Sequence, residues 1–280
     1  MADPEVSVWR YLIGAAGLLV WSLLRSDTRD LMTPLKEDWR MLVPLSLIGI
    51  SLAYLFFHWS LDFASVIQVA TLVTTIPIFV GLLNPAVNRT PVSTVKLITG
   101  LLAVAGVAAL LTDGYLDVLT AGGASLWGVL MALLCAALVA AYSVIAKPLM
   151  VRHGGMRITT IAIAIGAVGL WAGVGAFWGT WVNPVSLAGM QPDAVWPLVV
   201  LGLWNTTITQ LLWLGGLAAA TDMTRASYLF FLKPVIAAGL AIAFLGDSPT
   251  WLQFAAIIVV SGSVFFEVFW PQRQPAASPK

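Results

Sequence analysis

The chain has 280 residues, 60% of them hydrophobic and 10% charged, with a formal net charge of +1 and a single cysteine, Cys135. Soluble domains carry about 25% charged residues, so this composition excludes a soluble globular domain and describes a polytopic membrane protein. The near-neutral balance excludes a nucleic-acid partner, and the lone cysteine excludes an internal disulfide or a CxxC metal site.

The opening residues do not read as a signal peptide, because Asp3 and Glu5 stand where a basic n-region belongs. Apolar runs of about the 20 residues that cross a bilayer then recur along the whole chain. They predict an all-α protein of nine helices, at 8–24, 41–59, 64–83, 94–112, 126–147, 158–180, 196–215, 224–245 and 251–270. The first carries Arg10 about one turn inside its outer end. On the third, Gln68, Thr71 and Thr75 fall within about 60° of one another at 100° per residue, and Pro77 follows them. That face is either a polar lining for a substrate or a set of hydroxyls bonded to the preceding turn. The fifth run carries Tyr142 near its inner end. The sixth has Gly169/Gly173 and Gly175/Gly179 at small-xxx-small spacing, which allows close packing within the chain or between two copies. The seventh stacks Asn205 and Thr209 at i, i+4 with Trp213 one turn on. Those two side chains suit either a substrate or hydrogen bonds between helices. The eighth contains Tyr228, Lys233 and Pro234.

Basic residues mark alternate connections. The first holds Arg25, Arg29, Lys36 and Arg40, the third Arg89 and Lys96, the fifth Lys147, Arg152 and Arg157, the seventh Arg225, and the tail Arg273 and Lys280. The intervening connections carry Asp62, Asp113, Asp117, Asp193 and Asp247 and no base. The positive-inside rule then puts the C-terminus in the cytoplasm. Of the 14 basic residues, only Arg10 and Lys233 lie outside this pattern.

An internal repeat runs through the same helices. Ile13-Gly14-Ala15-Ala16-Gly17-Leu18 resembles Ile165-Gly166-Ala167-Val168-Gly169-Leu170 at an offset of 152, Gly49 matches Gly202 at 153, and Pro77 matches Pro234 at 157. The first four helices thus correspond in order to the last four and cross in opposite senses, an inverted-topology repeat of the kind secondary transporters use. The helix at 126–147 has no first-half partner. The expectation is a five-plus-five, ten-helix plan without its first helix here, with repeats at 1–120 and 121–271 and a cytoplasmic tail at 272–280. Pro77 and Pro234, at matched positions, are candidate hinges.

The stretches VWRYLIGAAGLL, TTIPIFVGLL and FFLKPVIAAGLAIAFLGD, with KLITGLLAVAGV and QFAAIIVVSGSV closing the halves, resemble the EamA-type drug/metabolite transporter superfamily. The resemblance implies a small-metabolite transporter, an exporter of a bacterial inner membrane, working without a cofactor as a monomer or homodimer. One branch exports aromatic amino acids. The first half departs from the family pattern, ending in LLNPAVNR where a Leu-Gly-acid closure is usual.

Lys233 poses the sharpest chemical question. It lies nine residues from one end of its run and twelve from the other, roughly 13 to 18 Å from either surface. Insertion of a lysine there costs about 2.5–3.5 kcal/mol, and no acidic residue is available at that depth. Snorkelling to the inner interface is one reading. The other is an ammonium that pairs with a substrate carboxylate, with Asn205, Thr209, Gln68, Thr71 and Thr75 lining the same space and Tyr228 and Tyr142 lining an inner vestibule. No HExxH or GxSxG occurs, and of the two histidines His58 sits at an outer helix end and His153 in a cytoplasmic loop. The residues therefore point away from an enzyme or metal site. A channel or scaffold remains the alternative, although a charged ring or filter loop is absent.

Overall fold

The computed structural model describes residues 3–88, 94–112, 126–245 and 250–269. Arg89, Asp113, Asp117, Asp247, Trp270 and the tail at 272–280 lie outside them. Among the described residues the chain forms nine helical rods. These are α1 (Asp3–Leu24), α2 (Met32–Phe63), α3 (Val66–Val73 continued by Ile76–Asn88), α4 (Thr94–Thr112), α5 (Leu126–His153), α6 (Gly155–Trp178), α7 (Pro192–Ala219), α8 (Met223 to Leu245, in four segments) and α9 (Trp251–Phe269). Seven are long and apolar enough to cross a membrane, and the apolar parts of α4 and α9 are shorter.

The rods run past the predicted spans at their basic ends. α2 begins at Met32, so Lys36 and Arg40 are helical residues and not part of a connection. Its first turns are polar, kinking at Asp38 (φ −122°, ψ 20°). There the alternate basic connections meet one another. Arg152 bonds Glu37 at 2.8 Å and Asp38 at 3.1 Å, His153 lies 2.6 Å from Asp38, and Arg157 donates to the Asp27 carbonyl. Lys147 donates to the Ala220 carbonyl at 2.7 Å, Lys96 pairs with Asp222, and Arg225 donates to the Glu267 carbonyl at 2.6 Å. The basic segments around α2, α4, α5 and α8 therefore gather at one end of the molecule.

Helix association in lipid depends on close packing and interhelical hydrogen bonds, because lipid tails are as apolar as leucine. Glycines supply the closeness. A Cβ on Gly14 would fall 2.5 Å from Thr206, and one on Gly166 would fall 2.5 Å from Ile50. Gly17 meets Leu203 and Thr207, and Gly169 meets Leu47 and Ser51. Two hydrogen bonds follow the same pattern: Thr207 Oγ1 donates to the Gly14 carbonyl at 3.0 Å, and Ser51 Oγ donates to the Gly166 carbonyl at 2.8 Å. α1 thus seats on α7 as α6 seats on α2, residue for related residue. These contacts pair Leu47 with Leu203 and Ser51 with Thr207, an offset of 156, so the Gly49–Gly202 match read from sequence is three residues out of register.

Gly169 and Gly173 pack against α2 of the same chain, with Leu55 against Gly173. Gly179 does not pack. At φ +69° it ends α6 in the left-handed conformation that favours glycine. Gly154, at φ +92°, turns α5 directly into α6.

The seats on α2 and α7 are wide-turn π-helical segments, Leu47–Leu52 and Leu201–Ile208. Such bulges occur at functional sites, and both of these face the interior described next. α3 breaks at Thr74 and Thr75, and α8 passes through a 3-10 turn at Tyr228–Phe231. Pro77 and Pro234 each follow such an irregularity, since proline lacks the N–H that would close the preceding turn.

At the basic end, Asp222 caps α8 by accepting from the Arg225 N–H at 3.0 Å. Burial alone would raise its carboxyl, but the Lys96 ammonium and the Arg225 N–H outweigh it and hold the group below the usual carboxylate range. A lowered folded-state value adds stability that is present above the unfolded value, about 3.9 for Asp, and lost as pH falls through the folded one. We expect Asp222→Asn, which keeps the cap and loses the charge, to lower the melting temperature at pH 7. The gap from wild type should close only as pH drops below about 4, near the unfolded value. A gap that stays constant down to pH 3 would contradict this role for the pair.

Candidate functional site

Between α1, α2, α5, α7 and α8 lies a cavity of ≈ 270 Å³. Its walls are mostly aromatic and aliphatic, with a few polar groups pointing inward. α7 contributes Asn205, Thr206, Thr209 and Gln210, α5 contributes Tyr142 and Ser143, and α1 contributes Ser7 and Arg10. α8 contributes Lys233. Among the described residues, no aspartate or glutamate lines it.

Each polar group reaches the cavity for a local reason. The π-helical turn carries Asn205 on the cavity side of α7, where its amide has no hydrogen-bond partner among the described residues. Thr209 Oγ1 donates 2.9 Å back to the Trp204 carbonyl, five residues earlier, which is the spacing of the π-turn. Its oxygen remains free to accept. The Tyr142 ring fits against α2 only because Gly49 has no side chain; a Cβ there would lie 2.4 Å from Tyr142. The Tyr142 hydroxyl is buried with no hydrogen-bond partner among the described residues.

The Lys233 ammonium sits 4.0 Å from the centroid of the Phe230 ring and 5.8 Å from that of Trp213. It forms no ion pair among the described residues. The closing backbone bonds of the 3-10 turn go to the Leu229 and Phe230 carbonyls, so the carbonyl beside Pro234 has a backbone donor and does not call on the lysine. Ring faces attract a cation but supply no anion.

The cavity therefore brings together four of the residues singled out in the sequence, Lys233, Asn205, Thr209 and Tyr142. Tyr142 lies on its wall and not in an inner vestibule. The others sit elsewhere. Gln68 closes a capping box with Ser65 at the start of α3, its Oε1 accepting from the Ser65 N–H at 2.7 Å. Thr75 donates to the Leu72 carbonyl at 2.6 Å, and Thr71 is buried, its carbonyl taking the Thr74 hydroxyl. Tyr228 is buried against Phe231 and donates to the Lys96 carbonyl, tying α8 to α4. For Gln68 and Thr75 a nearby backbone group offers the shorter route to a hydrogen bond. Arg10, Tyr11 and Tyr54 join the lining without having been candidates. A signal for Arg10 was present, since it is one of two cations outside the basic connections.

The cavity agrees with what the chain resembles. A solved crystal structure of a protein superposes with a TM-score of 0.73 over 95% of this chain and 86% of that one, at 18% identity, a likeness of fold. An uncharacterized transporter of Archaeoglobus fulgidus is 25% identical over 267 residues, covering 93% of this chain and 86% of the relative. The profile of the EamA-like transporter family matches twice, at residues 2–112 and 126–269. The chain belongs to the EamA-like transporter family and is an integral membrane transporter.

Proposed function

We propose that the protein carries small carboxylate-bearing metabolites, amino acids among them, across a bacterial inner membrane by alternating access, in the direction of export. In this reading Lys233 pairs with the substrate carboxylate, and Asn205, Thr209 and Tyr142 supply hydrogen bonds to the rest of the molecule. Gln68, Thr71, Thr75 and Tyr228 are left out because they do not line this cavity. The halves at 1–120 and 121–271 rock against each other, with Pro77 and Pro234 as hinges. The basic end and the 272–280 tail face the cytoplasm.

One observation carries the proposal. An ammonium inside a membrane span lines the cavity with no carboxylate among the described residues to pair with it. A cation held at mid-span without an anion is costly, and a substrate anion offsets that cost while bound. Paired family matches at 2–112 and 126–269 support the two-halves reading.

The test is a binding panel on the purified full chain in detergent, with benzoate, L-phenylalanine and glutarate as probes and thermal shift as readout. At least one carboxylate should raise the melting temperature of the wild type. Asn205→Ala and Thr209→Val should each weaken that binding by about 3- to 10-fold, the size of a neutral hydrogen bond, without lowering the melting temperature of the free protein. If no carboxylate binds, the substrate reading fails.

A further inference from the structure

We infer that Arg10 is a second substrate-binding residue, and that the cavity takes a linear small molecule carrying two separated anionic groups, a dicarboxylate. This rests on the reading of the Lys233 cavity as the substrate site and narrows its substrates from carboxylates in general, monocarboxylic amino acids included, to dicarboxylates.

Arg10 reaches the cavity from α1, with its guanidinium carbon 5.1 Å from the Tyr11 ring centroid and 5.2 Å from that of Tyr54. The two rings hold the guanidinium in place and lower part of its cost. Their hydroxyls also lie within reach as hydrogen-bond partners, but they do not satisfy all of it: among the described residues Nε is buried with no hydrogen-bond partner and no carboxylate pairs with the group. A guanidinium fork is suited to carboxylate oxygens, which it can bond two at a time.

The lining thus holds two cations and no anion among the described residues. A monocarboxylate would leave one cation uncompensated. A zwitterionic amino acid would add a third positive charge with no carboxylate to receive it. A dianion balances the site.

The placement of the cations sets the shape of the ligand. The Arg10 backbone touches α7 at Gly202, and Lys233 lies beside Trp213, eleven residues along the same helix. At 1.5 Å per residue that is about 16 Å of helix between the points where the two residues approach α7. Asn205 and Thr209 line the stretch between. Both cations border one space of ≈ 270 Å³, about the volume of nine waters at ~30 Å³ each. A chain with a carboxylate at each end fits such a space better than a compact dianion.

The experiment titrates butyrate, malonate, glutarate and pimelate against the purified full chain, reading thermal shift. In the wild type, glutarate or pimelate should bind about tenfold or more tighter than butyrate, the size expected of one further charge-assisted hydrogen bond, and tighter than malonate. Arg10→Gln should bring the long dicarboxylates down to the affinity of butyrate and leave butyrate unchanged. Arg10→Lys should keep most of the preference, and Lys233→Gln should weaken every probe. Dicarboxylates no tighter than butyrate, with Lys233→Gln still weakening butyrate, would overturn the role of Arg10 and leave the Lys233 reading standing. A Lys233→Gln variant that binds all four as the wild type does would overturn that reading itself. Should Arg10→Gln fail to elute as a folded species, the wild-type chain-length series and Arg10→Lys decide the matter.

Discussion

Replacing Lys233 with glutamine is expected to weaken carboxylate binding about 10- to 100-fold, the range for a charge-assisted hydrogen bond in a desolvated site, while leaving the protein as stable as before or more so. The two parts of this expectation have one cause. In the free protein the ammonium rests on the Phe230 and Trp213 rings and makes no ion pair among the described residues, so removing it removes an electrostatic cost. In the complex the same ammonium meets the anion, so removing it takes away the strongest contact. A structural lysine behaves in the opposite way, losing stability and leaving affinity alone. Melting temperature and dissociation constant measured on the same preparation therefore separate the two roles. Lys233→Met gives a second check, since it keeps the length and apolar stem of the side chain without the charge.

The second large effect is on packing. Gly166→Leu is expected to prevent α6 from seating on α2, costing about 1–3 kcal/mol or more, because even the first added carbon would lie 2.5 Å from the Ile50 side chain and 2.8 Å from its Cβ. Gly14→Leu should fail in the same way against Thr206. Each glycine also sets a hydrogen bond, from Ser51 and from Thr207, worth about 0.6 kcal/mol on average for such membrane contacts, which a displaced helix would lose. Two further glycines provide the control. Gly239 and Gly262 have nothing within 4 Å of the position a Cβ would take. Alanine there should be neutral or stabilising by up to about 1 kcal/mol from helix propensity. Thermal unfolding of the four variants in one detergent checks the contrast. Equal losses at all four positions would mean that the α1–α7 and α6–α2 seats are not special.

The helices were legible in the sequence because a membrane span has one dominant signal, a long apolar run, and each predicted run lies on a helix or helical segment of the structure. Their polar extensions were not legible. Met32 to Arg40 precedes the apolar run and is polar, yet it belongs to the same helix. The paired seats were partly legible. The Gly14/Gly166 match is a true correspondence, whereas Gly49/Gly202 is displaced because π-helical turns shift the register in a way that hydropathy does not record.

The site divided along a physical line. Lys233 and Asn205 stood out because a charge or amide in mid-span is costly, and the structure brings both to one cavity. Thr75 and Gln68 shared a helix face with correct geometry but bonded locally, since a threonine hydroxyl is always within reach of the preceding turn. Arg10 was visible as an exception to the charge pattern. Its nearness to Lys233 depends on α1 packing beside α7, a contact that spacing along the chain does not encode.

Counterflow in proteoliposomes tests the account most directly. Vesicles are preloaded with the tightest-binding carboxylate of the panel, and entry of the labelled compound is followed. Preloading should accelerate and overshoot uptake by the wild type, as an alternating-access carrier with one central site requires, and Lys233→Gln should abolish the overshoot. Uptake that is linear in concentration, indifferent to preloading and equal in the variant would contradict the account.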